Sequence, residues 1–395
     1  MSSLRELNRL RVLETVRERG SVSRADIARH TGLARSTISN LVSELQRDGL
    51  VVERGDERDV AGPRGGRPPV LLTLDPTAGA VLGLQFDHPV VRVAVADLDH
   101  RILAEAEREL NVDRDAAACL EAAVELVEDV LTRAGVDRAS LIGAGVGLAA
   151  PIDTATGTVG SSTIMPGWVG LEVVDELERL LGLPVYVDND ANLGALAELV
   201  LGAGRGASEM AYVMLAEGIG AGLVLGGRLY RGSGGTAGEI GHVLVDAQGP
   251  ICRCGNRGCL ETYAAAGALL ELLRPSHGPD LTLEGLVDLA VAGDPACKRV
   301  IDDVARIVGG VVAALCNQFN PERIVVGGKL SEVGELLLAP MRESVRRYAI
   351  PAAAERVEVV TGALGERAEL LGALVLVVAQ SDRAFLGRAR TAVGR

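Results

Sequence analysis

The first residues of the chain follow helical and then extended hydrophobic patterns. Leucine recurs at every third position across 4–13, which predicts an amphipathic first helix. Ser23 can cap a second helix, and Gly32 can form the turn before a third helix that begins two residues later and ends at Gly49. Two short strands follow, at 51–53 and 70–74. This order predicts a winged helix–turn–helix domain over residues 1–72.

From residue 80 onward, apolar strands and amphipathic helices alternate, which predicts an α/β body. The strands are expected at 81–84, 90–96, 141–148, 185–187, 212–215, 222–225, 323–326 and 357–361. Helices are expected at 116–133, over most of 260–316 and at 368–380. We predict a first lobe over 78–190, completed by a C-terminal helix within 368–395, and a second lobe over 191–367.

Charge divides the chain in the same place as the hydrophobic pattern. The formal net charge is −13, with +3 on residues 1–72 and −16 on the remainder. A basic head on an acidic body suggests a polyanion partner for the head alone. No apolar run reaches the ~18 residues of a membrane helix. We therefore expect a cytoplasmic protein with no membrane partner.

The third helix carries the candidate DNA-contacting residues. Arg35, Ser36, Thr37 and Asn40 lie off its apolar stripe, near the end of the helix that enters the major groove in this class of domain. In the loop between the two strands, Arg64 and Arg67 can enter a narrow minor groove; the alternative is a solvated linker with incidental arginines. Because the head is only weakly basic, we expect a homodimer or homotetramer on an inverted-repeat operator.

One histidine and three cysteines form a candidate metal site. His242, Cys252, Cys254 and Cys259 fall within 18 residues. This is a closed tetrahedral ligand set, so we expect one structural Zn²⁺ per chain. A disulfide is the poorer interpretation in a reducing compartment.

These motifs together resemble the ROK family, named for repressors, open reading frames and kinases. The resemblance is carried by Gly238–His242, Cys252–Glu261, Asp188–Asn192, Glu217–Gly220 and Asn320–Gly328. The helix–turn–helix in front resembles the repressor branch, which includes regulators of sugar metabolism. The resemblance implies a two-lobed actin/hexokinase-like (ribonuclease H-like) body.

In family kinases, residues at five matching positions hold the hydroxyl groups of the sugar. The positions are Asn189, Asp190, Glu239, His242 and Glu261. The resemblance implies that Asp190 would be the general base of a kinase. The alternative for Asp190 taken alone is a helix cap.

The chain departs from the kinase pattern at several positions. Kinases carry Asp-x-Gly-Gly-Thr where this chain has Gln85 to Pro89, and a threonine of their second phosphate turn is replaced here by Glu217. Ile164 or a neighbour stands where kinases have an asparagine, and Trp168 either walls the pocket or packs between the lobes.

We interpret the chain as a non-enzymatic DNA-binding transcriptional regulator that responds to a sugar or sugar derivative. A sugar kinase with a fused DNA-binding domain is the alternative, favoured by Asp190 and opposed by Gln85, Pro89 and Glu217. A regulator that answers to a protein partner is a third possibility. The sequence does not identify the effector, the operator or the sign of regulation.

Overall fold

The computed structural model describes residues 4–54, 70–153, 156–160 and 163–380. Within these ranges the chain folds as a winged helix–turn–helix followed by an α/β body with two five-stranded sheets. The predicted fold class is therefore confirmed. None of the described helices has the length and apolar character needed to cross a membrane.

The head contains three helices and a small three-stranded sheet of order β1-β3-β2. Ser23 caps the second helix reciprocally with Asp26, and Gly32 ends that helix in a left-handed conformation, as the sequence predicts. The apolar stripe of the third helix is buried. The elements are α1 (Leu4–Arg19), β1 (Val22–Ser23), α2 (Arg24–Thr31), α3 (Arg35–Arg47), β2 (Val51–Arg54) and β3 (Leu71–Leu74). Arg64 and Arg67, and most of the predicted wing, lie outside the described residues.

The first sheet of the body has the order β6-β5-β4-β7-β8. Its first three strands pair antiparallel, whereas β7 and β8 join β4 in parallel. Two helices, α4 and α5, cover one face. The elements are β4 (Ala80–Asp87), β5 (Val90–Asp97), β6 (Ile102–Glu109), α4 (Ala116–Ala134), β7 (Leu141–Leu148), α5 (Val173–Leu181) and β8 (Val185–Asn189).

The second sheet has the order β11-β10-β9-β12-β13, and its helices form a separate apolar core. The strands are β9 (Met210–Leu215), β10 (Ile219–Leu225), β11 (Arg228–Tyr230), β12 (Arg323–Gly327) and β13 (Glu358–Thr361). The helices are α7 (Glu261–Ala264), α8 (Ala266–His277), α9 (Leu283–Ala292), α10 (Pro295–Phe319), α11 (Glu335–Tyr348) and α12 (Pro351–Ala354).

Two further helices, α6 (Asp190–Val200) and α13 (Ala368–Gln380), pack on each other and on the sheets. The first sheet receives α13 closely, because a Cβ at Gly145 would collide with the backbone of Ala373. Meanwhile α6 contacts strands of both sheets. The division of the lobes at residue 190 thus stays a prediction.

The head packs directly against the body. Its core residues form one cluster with Val81 and Ile142 of the first sheet and with Leu374, Val377 and Val378 of α13. Arg54 of β2 also forms an ion pair with Asp99 of the body. The head therefore contacts both the first sheet and α13.

Candidate functional site

The cysteine-rich segment after β11 is a loop folded around its own polar atoms. Cys252 donates its backbone NH to Asn256 at 2.8 Å, and Gly255 donates to Cys252 O at 2.9 Å. An isolated β-bridge joins Leu244 to Cys259. Few apolar side chains hold this segment, since Leu244 and Ile251 are 61% and 62% exposed.

The loop brings His242, Cys252, Cys254 and Cys259 together. Their ligand atoms all lie within 4.8 Å of one another, an arrangement that could hold a metal ion. Cys254 Sγ is 3.7 Å from Cys259 Sγ, and Cys252 Sγ is 3.7 Å from His242 Nδ1. All three cysteines are free thiols.

Two predicted sugar-binding carboxylates lie against the same histidine. His242 Nδ1 is 3.5 Å from Glu261 Oε2, and His242 Nε2 is 3.9 Å from Glu239 Oε2. Burial and the nearby Glu261 raise the pKa of Glu239 to about 7, against the opposing effect of Arg253. His242 Nδ1 thus lies beside both Cys252 and Glu261, and Nε2 lies beside Glu239.

Arg253 is a member of this site that sequence reasoning missed. It stands between two of the cysteines, and its guanidinium forms an ion pair with the buried Glu261. The same side chain reaches toward Gly218 in the turn between β9 and β10. A positive charge therefore lies at the point where the cysteine-rich loop, the carboxylates and the β9–β10 turn meet.

Asn189 and Asp190 stand at the N-terminal end of α6. Asn189 is the helix cap: its Oδ1 accepts from Ala191 N at 3.0 Å, and its Nδ2 donates to Ala150 O at 3.2 Å. Asp190 is the first helical residue and accepts from Ala191 N at 2.7 Å. The capping role considered for Asp190 therefore belongs mainly to Asn189.

Close packing of β10 on α6 brings the two halves of the site together. A Cβ at Gly222 would collide with the backbone of Ala191, so glycine lets the strand lie directly on the helix. Ala221 of the same strand donates its NH to Gly238 O at 2.8 Å, immediately before Glu239. Glu239 thus lies near enough to Asp190 for its charge to affect the pKa of that residue.

A group of buried acids surrounds Asp190. Burial, with repulsion from Asp87 and Glu239, raises the pKa of Asp190 to about 8. Burial, with repulsion from Asp87 and Asp190, likewise raises the pKa of Glu369 to about 8. Sequence reasoning missed Asp87 and Glu369, although Gly83, Gln85 and Asp87 alternate on one face of β4 and α13 covers that face.

We expect the buried acids to make stability fall as the pH rises through about 5–8. The unfolded chain ionises Glu369 near pH ~4.3, whereas the folded chain keeps that proton up to about 8. The folded state binds more protons in this window, so its free energy of unfolding declines with pH, by roughly 1–4 kcal/mol. Glu369→Gln is neutral at every pH and should flatten the decline in denaturant titrations.

The matched control for this measurement is Glu355→Gln, which alters an exposed acid of the second lobe and should keep the wild-type slope. An equally steep decline in Glu369→Gln would contradict the assignment of a buried, protonated carboxyl at this position.

Gln85 and Glu217 are two of the positions that the kinase resemblance associates with phosphate binding, and one is buried whereas the other is exposed. Gln85 is 3% exposed, and its Oε1 has no hydrogen-bond partner. Glu217 is exposed in the β9–β10 turn. The pKa of Asp87 is raised mainly by burial, and the charge of Glu217 adds to this effect. An ion pair of 2.6 Å between Arg231 and Asp188 joins the loop after β11 to the end of β8.

Trp168 takes neither of the two positions considered for it, a wall of the pocket or packing between the lobes. Trp168 is fully buried, packs edge-on against Phe86 with ring centroids 4.8 Å apart, and donates its indole NH to Val112 O at 2.7 Å. It belongs to the core of the first lobe, because a large apolar ring gains most from complete burial once its NH is satisfied. Ile164 is buried in the same core.

The DNA-contacting residues predicted on α3 lie together on its outer side. Arg35, Ser36 and Asn40 are exposed, and Thr37 is half-buried. No side chain caps the start of α3, since Ala34 occupies that position. The exposed polar face and the free amides at the same helix end suit contact with a phosphate backbone.

Comparison with known proteins matches the head and the body to two different families. Residues 82–380 match the ROK family, and residues 6–59 match the MarR family. The xylose repressor of Caldicellulosiruptor bescii is 30% identical over 390 residues, which are 95% of this chain and 96% of that repressor.

Two solved structures extend the comparison to three dimensions. A ROK family transcriptional regulator, described as a homologue of the E. coli Mlc protein, matches with a TM-score of 0.81 at 26% identity, covering 98% of this chain and 99% of that one. A ROK family glucokinase from Streptomyces griseus, in complex with glucose and AMPPNP, matches with a TM-score of 0.66 at 31% identity, covering 75% and 99%. The regulator spans the head and the body, whereas the kinase matches three quarters of the chain. On these matches, the chain belongs to the ROK family.

Proposed function

We propose that this protein is a transcriptional regulator that binds an operator through its head and a sugar or sugar derivative through its body. The observation that carries the proposal is the joining of a winged helix–turn–helix, through one continuous apolar core, to a body whose carboxylates converge beside a His/Cys cluster. The full-length match to a repressor supports the same function. A regulator of chromosomal genes works in the cytoplasm.

The metal is proposed to be one structural Zn²⁺ held by His242, Cys252, Cys254 and Cys259. Two sulfurs that each lie about 2.3 Å from a shared tetrahedral ion are about 3.8 Å apart, and the 3.7 Å between Cys254 Sγ and Cys259 Sγ fits that spacing. A disulfide would require about 2.05 Å. When bound, the ion would fix the loop that presents Arg253 and Glu261.

The sugar is proposed to bind among Asn189, Asp190, Glu239, His242 and Glu261. Each carboxylate can accept hydrogen bonds from two hydroxyl groups. The Asn189 amide also hydrogen-bonds the Asp190 carboxylate, so it can hold that carboxylate in place for the ligand. His242 can present Nε2 to the ligand while Nδ1 faces the thiols.

Helix α13 is proposed to carry the ligand signal to the head. Its first turn holds Glu369, which interacts electrostatically with Asp190, and its later residues Leu374 and Val378 pack into the core of the head. A ligand that favours one arrangement of α6 against α13 would bias the position of the head. This is a two-state mechanism, so the ligand has to bind one state more tightly than the other.

The head is proposed to read an inverted repeat as part of a homodimer or homotetramer. Asn40→Ala should relax specificity at one base position and cost about 1–3 kcal/mol there, because asparagine pairs bidentately with adenine. Competition binding to a library of single-base operator variants measures this effect. Ser43→Ala, one turn further along the exposed side of α3, is the control. A uniform loss of affinity across the whole library would show that Asn40 contacts only the backbone.

The proposed function is tested by releasing the protein from DNA with a panel of sugars. Genomic fragments that bind the purified protein supply the operator, and fluorescence anisotropy follows its release as hexoses, pentoses, amino sugars and their phosphates are added. We expect one chemical class to weaken DNA binding at least tenfold. If no fragment binds specifically, the regulator assignment fails; if fragments bind but no sugar acts, the protein-partner alternative replaces the sugar.

A sugar kinase with a fused DNA-binding head is the second candidate, because Asp190 stands where the general base of family kinases stands. Gln85, Pro89 and Glu217 oppose it. Pro89 lacks an NH for phosphate, and a carboxylate about 4 Å from a phosphate costs on the order of 4 kcal/mol at a surface-like dielectric.

A further inference from the structure

A second group of metal-ligating side chains lies where the end of α8 meets the start of α10. His277 is the last residue of α8, Asp294 caps α10, and Cys297 lies in the first turn of α10. His277 Nε2 is 3.4 Å from Asp294 Oδ2 and 3.9 Å from Cys297 Sγ. The ligand atoms of all three residues lie within 4.8 Å of one another. None of these residues belongs to the His242 loop.

Backbone contacts fix which atoms of these side chains face each other. Asp294 Oδ1 accepts from the backbone NH groups of Ala296 and Cys297 at 3.0 and 2.9 Å, which turns Oδ2 toward the histidine. His277 Nδ1 is 3.3 Å from Leu273 O and 2.8 Å from the Ser276 hydroxyl.

The Ser276 hydroxyl also lies 3.0 Å from Leu273 O, so it can donate there while it accepts from His277 Nδ1. With Nδ1 as the donor to these two oxygens, the neutral ring has its lone pair on Nε2. A metal-bound histidine usually donates its other ring NH to a carbonyl in this way.

Nε2 of His277, the Asp294 carboxylate oxygen and the Cys297 sulfur converge on one point. Without a metal they can share hydrogen bonds, and a cation between them would replace those hydrogens. Ligands bound to one tetrahedral Zn²⁺ are separated by about 3.3 Å for nitrogen and oxygen and about 3.6 Å for nitrogen and sulfur, given bonds of about 2.0–2.3 Å. The distances of 3.4 and 3.9 Å are close to these values.

We propose that His277, Asp294 and Cys297 form a second transition-metal site, of the zinc class, with its fourth position open to water. Nitrogen, oxygen and sulfur ligands together suit Zn²⁺ or Co²⁺ better than the oxygen-seeking Mg²⁺ or Ca²⁺. The side chains of His277 and Asp294 are 15% and 27% exposed, so the ion can enter from solvent. With three protein ligands, this site holds its metal more weakly than the four-ligand His242 cluster.

A bound ion here would clamp the segment between α8 and α10. His277 and Asp294 flank α9, which joins the rest of the protein through one apolar face and an ion pair between Glu284 and Lys329. Metal binding would therefore stabilise this region in proportion to the free metal concentration, since only the folded chain presents the three ligands together.

The test counts metals on the full chain. Wild-type protein equilibrated with excess Zn²⁺ and freed of unbound metal should carry two equivalents, falling to one after brief exposure to a weak chelator. Cys297→Ser and His277→Gln should each stop at one equivalent, whereas Cys316→Ser, which alters another buried cysteine of α10, should keep two. Co²⁺ added to protein with one Zn²⁺ should give a thiolate-to-cobalt absorption band that Cys297→Ser lacks.

Near-native circular dichroism of both variants without added metal establishes that they fold. If the wild type never exceeds one equivalent and gives no cobalt band, the proposal is wrong. Retention of two equivalents by both folded variants overturns it equally, because the second ion is then adventitious.

Discussion

Cys254→Ser should strip the metal from the His242 cluster, unfold the loop around it and abolish the response to ligand. The loop has little apolar packing of its own, with Leu244 and Ile251 largely exposed. Structural Zn²⁺ contributes roughly 10–16 kcal/mol of binding free energy in small zinc-folded peptides, so such a loop depends on its ion for folding. Serine is a poor ligand for a soft thiolate site.

The loss should reach the ligand through the residues that the loop presents. Glu261 follows Cys259 by two positions, and Arg253 stands between two ligands of the proposed ion. We expect tight metal at the cluster to fall from about one equivalent to well under one, and sugar affinity to fall at least tenfold. Metal analysis after chelator treatment and calorimetry with the releasing sugar measure the two effects.

Cys119→Ser is the matched control, because Cys119 is a buried cysteine in the core of the first lobe. It should keep both the metal and the ligand response. A Cys254→Ser protein that retains a full equivalent of tightly held zinc would show that the cluster is not the metal site. A metal-free protein that still responds to sugar would show that the ordered loop is not needed for sugar binding.

Local patterns in the sequence were sufficient to predict most of the fold. The buried stripe of α3, the Ser23 cap and most strands of both sheets follow from periodicity and capping chemistry. Four helices, α5, α6, α11 and the four-residue α12, and three strands, β1, β6 and β11, were not predicted. Gly194 interrupts the helical pattern of α6 and Pro340 that of α11, whereas tertiary packing tolerates both.

The residues of the candidate site form two groups: those close together in the sequence and those brought together only by the fold. The His/Cys cluster is close in sequence, so its spacing alone indicated it. Asp87 and Glu369 meet Asp190 only because β4, α6 and α13 pack together, and no local motif encodes that contact. The position of Trp168 was left open for the same reason, since composition does not tell whether an isolated tryptophan lies in a cleft or in a core.

Asp190→Asn should weaken sugar-induced release from DNA while leaving DNA binding without sugar nearly unchanged. The substitution keeps the shape of the side chain and removes one charged acceptor, which is worth about 1.5–3 kcal/mol, or roughly 10- to 150-fold in ligand affinity. Anisotropy titrations of operator-bound protein with the releasing sugar measure this change. Glu355→Gln, which alters an exposed acid, should release like the wild type.

A pH series distinguishes a binding role for Asp190 from a structural one. The pKa of Asp190 is raised to about 8 by burial and by nearby acids. At pH 7 the carboxyl group of Asp190 is therefore mostly protonated in the ligand-free protein. Sugar hydroxyls donate to the ionised form, so binding favours release of the proton and affinity should rise with pH up to about 8. Asp190→Asn has no such proton and should lose this slope, whereas a residue that only supports the fold would leave it in place.

The same variant decides between the regulator and the kinase. A regulator should show no sugar-dependent turnover of ATP in the wild type, because Gln85, Pro89 and Glu217 stand where the family resemblance implies the phosphate-binding groups of kinases. Sugar-dependent ATP hydrolysis or transfer in the wild type that disappears in Asp190→Asn would establish the kinase instead. Release from DNA that is identical in wild type and Asp190→Asn would mean that the carboxylate takes no part in sensing and that the pocket is vestigial.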